Sequence, residues 1–257
     1  MDLPFIKMHG AGNDYVYVDC FDPQTAALIA QTDLPALARR MSDRHTGVGA
    51  DGLVLILPSR AASVKMRMFN ADGSEAEMCG NAARCIAKYA YEHVLCGPQM
   101  SLETMAGIKP VTIQTRDGKV LSVTVEMGKT LGNPHEVLFV EKSDELLPLF
   151  ERVCKDASYA TLRAKANIEC VYVMNMRELR MRVCERGTGE TLACGTGACA
   201  AAMAAMDRGL TEREVTVHLP GGSLSVRRNE RGVVFLTGPA VEVFRGLYPM
   251  SPDLLTH

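Results

Sequence analysis

Alternation of apolar and polar positions marks much of this chain as strand. Val64 to Phe69 sets Val, Met and Met against Lys and Arg, the period of two expected of a half-buried strand. Leu3 to Met8 and Tyr15 to Asp19 read as strands around the turn-rich 9–14 segment, and Leu53 to Leu57 is an unbroken apolar run. Strands are also expected within 100–127, where Asp117-Gly118 supplies a hairpin turn, and over 136–140, 167–174 and 179–184. The tail adds 215–219, 224–228, 233–237 and 241–244, with Pro220 to Gly222 as a turn.

Helical signals are fewer. Asp33 followed by Pro35 opens a short helix to Met41, and a second helix is read over 145–156. Helices follow Cys79, stopped at Gly97-Pro98, and Cys194, stopped at Gly209. The 195–207 stretch is small and apolar all round, so it belongs inside a sheet and not on a surface. Many strands with two enclosed helices predict an α+β fold in which each sheet wraps its own helix.

The two cysteine segments are nearly the same text. Glu75-Ala-Glu-Met-Cys79-Gly80-Asn81-Ala-Ala83 is echoed by Glu190-Thr-Leu-Ala-Cys194-Gly195-Thr196-Gly-Ala198, an offset of 115, and Gly12-Asn13 is echoed by Gly132-Asn133 at an offset of 120. The chain is therefore read as two pseudo-symmetric lobes. Residues 1–115, with a tail of about 246–257, carry Cys79, and residues 116–245 carry Cys194. A cysteine at a helix N-terminus has its thiolate favoured by the helix dipole, and the same N–H groups can grip a carboxylate. Two activated thiols and two anion cradles are expected. Glu75 and Glu190 are read as turn residues that accept backbone N–H bonds, and His9, His45 and His135 as loop-shaping or supporting histidines.

Composition removes several classes. The 257 residues carry a net charge of −2, and no run of Lys or Arg suggests nucleic acid or lipid as a partner. The N-terminus lacks the pattern of a signal peptide and no apolar run is long enough to span a bilayer, so a cytoplasmic protein is expected. Nine cysteines without a Cys-x-x-Cys pair favour free thiols over a disulfide scaffold or a zinc site. Gly195 to Ala200 fits a dinucleotide fingerprint, but no acidic residue ends a following parallel strand.

Two cysteines at one pocket can form a redox couple or act as acid and base on opposite faces of a carbon. Only the second use needs two carboxylate cradles, because inversion requires a thiolate to remove a proton and a thiol to return one. A racemase or epimerase is the expectation.

The strings Lys7-Met-His-Gly-Ala-Gly-Asn-Asp-Tyr, Gly47-Val-Gly-Ala-Asp-Gly, Phe69-Asn-Ala-Asp-Gly-Ser-Glu, Cys79-Gly-Asn-Ala-Ala-Arg-Cys, Gly132-Asn-Pro-His, Glu185-Arg-Gly-Thr-Gly-Glu-Thr and Ala193-Cys-Gly-Thr-Gly-Ala together resemble those of diaminopimelate epimerases. They run through nearly the whole chain in order. The resemblance implies two lobes of the diaminopimelate epimerase-like fold, each a strongly curved mixed sheet around a central helix, with the site in the cleft between them. It implies an isomerase, free of PLP, metal or other cofactor, that interconverts LL- and meso-diaminopimelate for lysine and peptidoglycan precursor synthesis, and commonly a homodimer. By motif, Cys79 and Cys194 are the acid/base pair, and Gly80-Asn81 and Gly195-Thr196 hold the reacting carboxylate, with Asn13 near that centre. Arg186, Asn70, Asn133 and Asn167 match positions for the distal carboxylate, and Glu185 for the distal ammonium.

Three departures keep other readings open. Gly52 stands where some members carry Gln, Glu136 follows the Gly-Asn-Pro-His string where a small or apolar residue is common, and Tyr159 to Ala166 replaces a Pro-containing segment. The alternatives are a cofactor-independent racemase of another amino acid, or a non-catalytic redox sensor that joins the two cysteines.

Overall fold

The computed structural model describes residues 2–130 and 132–256. In chain order its elements are β1 (Asp2–Gly10), β2 (Asn13–Asp19), α1 (Pro23–Ala30), α2 (Leu34–Ser42), β3 (Gly52–Leu57), β4 (Val64–Asn70), β5 (Glu75–Ala76), α3 (Gly80–Glu92), β6 (Gln99–Thr104), β7 (Gly107–Arg116) and β8 (Lys119–Gly128). They continue as β9 (His135–Val140), α4 (Leu146–Lys155), α5 (Ala160–Lys165), β10 (Asn167–Asn175), β11 (Glu178–Glu185), β12 (Gly189–Thr191), α6 (Gly195–Asp207), β13 (Glu214–Leu219), β14 (Gly222–Arg228), β15 (Val234–Gly238) and β16 (Val241–Pro249).

Two compact units emerge. The first comprises Met1–Gly10, Asp14–Val123 and Ala240–His257, and the second comprises Ala11–Asn13 and Thr124–Pro239. Strands of the first follow the order β16-β1-β2-β3-β4-β6-β7-β8, and those of the second run from the end of β8 through β15-β14-β13-β11-β10-β9.

The repeat read in the sequence is a repeat of architecture. β2 pairs parallel with β3 as β9 does with β10, β3 antiparallel with β4 as β10 does with β11, and β4 parallel with β6 as β11 does with β13. The offset of 115 carries β3 onto β10, β6 onto β13, and the 13 residues of α3 onto the 13 of α6. Within each unit the mixed sheet curves around its helix: α3 packs on β1, β4, β6 and β7, while α6 packs on β9, β10, β11, β13, β14 and β15.

Both faces of the central strands are covered, which is why Leu53 to Ile56 is apolar without alternation. Leu53 and Leu55 join a core with Leu37 and Met41 of α2 and Leu28 and Ile29 of α1. In the second unit Leu146, Phe150 and Val153 of α4 pack on Ile168, Cys170 and Cys184. The expected Asp117-Gly118 hairpin is present, both residues at positive φ (52° and 74°) as a two-residue turn of this hand requires.

Two helices were not expected from sequence. α1 begins at Pro23 with Asp22 as its cap, accepting the Thr25 N–H at 2.7 Å, the same arrangement that marked α2. α5 occupies the unusual 159–166 segment.

Candidate active site

Cys79 and Cys194 are the N-cap residues of α3 and α6, both in extended conformation (φ −132°, ψ 124° and φ −125°, ψ 112°). Each carbonyl accepts the N–H four residues on, from Ala83 and Ala198, at 2.9 Å. Each thiol therefore stands over a first helical turn whose N–H groups have no carbonyl a turn earlier. That is the geometry of an anion cradle.

In the first unit Cys79 is partly exposed, while Gly80 and Asn81 are buried. Under them lies Arg84, wholly buried, donating from Nη2 to Asn81 Oδ1 at 2.7 Å and from Nη1 to the Gly80 carbonyl at 3.2 Å. Asn70 ends β4, where its N–H bonds the Ser74 carbonyl at 2.8 Å and its amide bonds Ser74 Oγ at 3.0 Å. The Lys7 and Gly47 motifs meet through ions: Lys7 Nζ lies 2.5 Å from Asp14 Oδ2, and Arg44 reaches Asp14 at 2.7 Å and Asp51 at 2.9 Å. Burial pushes the Asp14 carboxyl up, and the Arg44 and Lys7 bonds outweigh it, so its pKa lies below the ordinary value.

In the second unit the Gly197 N–H points to Cys194 Sγ at 3.4 Å and Thr196 Oγ1 lies 3.5 Å from it. Asn167 Oδ1 accepts the Arg186 N–H at 2.9 Å, Glu185 Oε1 accepts from Thr191 Oγ1, and the Arg186 side chain is exposed. Asn13 opens β2 and groups with this second unit, and Asn133 is exposed just before β9.

The expectation of two activated thiols needs correction at Cys194. Burial raises its pKa most, Glu185 and Glu169 add to the rise, and the bonds to Thr196 and Gly197 oppose it. The net result lies well above the ordinary thiol value. A helix N-terminus alone favours thiolate, but here desolvation prevails and Cys194 rests as a thiol.

Glu75 and Glu190 are also not turn acceptors. They lie on β5 and β12 and pair with Arg67 and Arg182, themselves 115 residues apart. These semi-exposed pairs brace the strand before each cysteine and are worth little energy.

The sequence did not reveal Glu169, wholly buried on β10, whose Oε1 bonds His135 Nδ1 at 2.8 Å. The one signal was a charge inside the apolar run Ile168 to Val171. Burial pushes Cys20 and Cys170 up to about 12 and Cys85 to about 11, which suits inert packing. Gly52 is set by packing: a Cβ there would stand 2.1 Å from the Phe69 carbonyl oxygen, so no side chain fits on this backbone. Among the described residues no cluster of His, Cys, Asp or Glu could hold a metal ion, and no helix is long and apolar enough to cross a membrane.

Comparison with known proteins agrees with the repeat. A family model described as diaminopimelate epimerase matches twice in succession, over residues 5–131 and 128–243. Diaminopimelate epimerases of Pelotomaculum thermopropionicum and Acetivibrio thermocellus are each 42% identical, covering 96% and 95% of this chain and 99% and 98% of their own lengths. Among solved structures, a Bacillus anthracis phenazine biosynthesis protein of the PhzF family superposes with a TM-score of 0.72 at 17% identity, covering 97% of this chain and all of that one. A hydroxyproline epimerase from Agrobacterium vitis gives 0.69 at 14%, covering 98% and 94%. These two share the fold, while the sequence relatives carry the family. This chain belongs to the diaminopimelate epimerase family.

Proposed function

We propose that the chain interconverts LL- and meso-diaminopimelate without a cofactor, Cys79 and Cys194 exchanging protons with opposite faces of one α-carbon. The observation that carries the mechanism is the duplicated cap: two cysteines, 115 residues apart, each over its own helix N-terminus. One cysteine, as thiolate, removes the α-proton, the N–H groups of the two first turns stabilise charge on the adjoining carboxylate, and the other, as thiol, delivers a proton from the far side. Glu185 receives the distal ammonium, and Arg186 with Asn70, Asn133 and Asn167 receives the distal carboxylate. Asn13 stands near the reacting centre. Support comes from Asn167 and Arg186 being tied together by a hydrogen bond at the ends of β10 and β11.

Reduced protein with LL-diaminopimelate in deuterated water should invert one centre and deuterate it, as read by NMR. Other L-amino acids should react at least about 10³-fold more slowly, because a substrate without the distal amino acid leaves Glu185, Arg186 and the amides placed for it unpaired. An inert diaminopimelate with rapid exchange of another amino acid would move the substrate and leave the cysteines in place. The departure at Gly52 gives no reason to expect that, since the glycine is required by its contact with Phe69.

The working unit is a cytoplasmic homodimer, a compartment in which the nine free thiols stay reduced. Among the described strands β16 pairs with β1 alone, and it ends its sheet with Val241, Val243, Phe244 and Leu247 exposed. An apolar edge strand of this length invites a second copy. Phe244→Asp combined with Leu247→Asp should yield monomers by light scattering. A dimer that survives both charges would place the interface elsewhere.

A further inference from the structure

The two halves differ at a buried place beside the second cysteine where their common architecture gives no reason to differ. The offset of 115 lays Glu169 on Val54 and Gly197 on Ala82. Strand register lays His135 on Tyr15: His135 pairs with Asn167, while Tyr15 precedes Val16, the partner of Leu53. Val54 and Ala82 are both apolar and wholly buried. The second half puts a carboxyl group at the first of these positions and removes the methyl group at the second.

The substitutions are linked by geometry. A Cβ on Gly197 would stand 2.7 Å from Glu169 Oε1, closer than real contacts allow, so the glycine makes room for the carboxyl. The same Cβ would stand 3.3 Å from Cys194 Sγ, so Oε1 and Sγ are no more than about 6 Å apart. Oε1 also holds His135 Nδ1 at 2.8 Å. Neither Glu169 Oε2 nor His135 Nε2 has a hydrogen-bond partner among the described residues, although the side chains are 0% and 6% exposed. A fold seeking only stability would have kept the valine.

We propose that Glu169 is a positioning residue for Cys194, anchoring His135 through Nδ1 and placing a carboxyl against the first turn of α6 so that this thiol, and not Cys79, is the proton donor at rest. The proposal rests on the two-cysteine reading above. With Nδ1 engaged by Glu169, the ring's Nε2 is the nitrogen left for any further hydrogen bond. The other groups facing Cys194 are Glu185 from β11 and Thr196 with the Gly197 N–H from α6; burial raises the Glu169 carboxyl above its ordinary value, the His135 bond opposes that rise, and Glu136 on β9 adds to it. Val54 does not supply the same charge beneath Cys79, so the effect is one-sided.

The test reads both thiols in one sample, without substrate, by the pH dependence of iodoacetamide labelling resolved by peptide mass spectrometry. In Glu169→Gln the amide oxygen can still accept the His135 proton, but the charge is gone. The Cys194 midpoint should fall by about one pH unit while Cys79 stays within about 0.3. The alkaline limb of kcat/KM, set by the group that must be protonated, should move down with it. Glu169→Val combined with Gly197→Ala installs the Val and Ala of the first half and guards against a folding failure. It should shift Cys194 likewise and lower kcat about tenfold or more, matching His135→Asn and gaining nothing from its addition. An unmoved Cys194 midpoint in Glu169→Gln, or equal movement of both cysteines, would overturn the proposal. A wild type that inverts no diaminopimelate, or a Cys194→Ala variant that still does, would instead remove the reading on which it rests, and the labelling midpoints would report on Glu169 regardless.

Discussion

Cys79→Ala and Cys194→Ala should each lose between about 10² and 10⁴ of kcat/KM for inversion, the range that one positioned acid or base supplies. Two-base chemistry also predicts how the loss is distributed. Each variant keeps a thiol on one face of the α-carbon, so it can still exchange the proton of the stereoisomer that presents hydrogen to that face, and it cannot complete the inversion. Deuterium uptake without inversion should thus appear with one isomer in one variant and with the other isomer in the other. The double variant should do neither, and its deficit in inversion should hardly exceed that of either single variant, since the two thiols act as one unit. Both measurements come from a single NMR time course. If either alanine variant inverts at more than about a tenth of the wild-type rate, that cysteine is not in the proton path.

The resting states of the two thiols give this experiment its pH frame. Burial and the Glu185 carboxylate hold Cys194 above the ordinary thiol value. A group in that condition is a donor near neutrality, and it becomes a base only after giving its proton to the substrate side. Inversion in one direction therefore begins with Cys194 already loaded, and the reverse begins after it has been unloaded.

How much of this could be read from the chain depends on whether a residue's role is local. The capped cysteines were legible because a Cys followed by Gly and small residues, then by a helix stop, is a local signal, and because it occurs twice at a fixed offset. α2 was legible for the same reason, through Asp33 and Pro35. α1 carries a similar cap at Asp22 and Pro23, but its eight residues lack a clear polar stripe, so the cap had no periodic run to support it. Glu75 and Glu190 were misassigned because their partners, Arg67 and Arg182, lie across a strand pairing that sequence spacing does not show. Glu169 was illegible for a deeper reason. Alternation implies one wet face, and β10 is covered on both, so a charge there looks like a solvent-facing position until the sheet and α6 are in place.

The first half has a buried charge of its own in Arg84, and removing it should produce the largest loss of stability among single substitutions at the site. It is 0% exposed and its guanidinium bonds both the Gly80 carbonyl and Asn81 Oδ1, while the matching position 115 residues on is the neutral Cys199. Two effects oppose each other in Arg84→Met. Losing a buried charge relieves a desolvation cost, and methionine fills much of the stem's volume. Against this, two acceptors in the first turn of α3 lose charged hydrogen bonds, each worth roughly 1.5–3 kcal/mol, in a place where water does not replace them. The second effect should win by about 2–4 kcal/mol, which for a chain of this size lowers Tm by roughly 5–15 °C. Arg84→Lys should recover part of that, because it keeps the charge and loses the fork that reaches two acceptors at once. Activity should fall with geometry as well as with stability. Asn81 is held by its oxygen, so releasing it loosens the turn that Cys79 caps, and kcat/KM measured well below the lowered Tm should still drop about tenfold. A Tm within about 1 °C of wild type for Arg84→Met would mean that the Gly80 and Asn81 acceptors find other donors and that the guanidinium is dispensable to the fold.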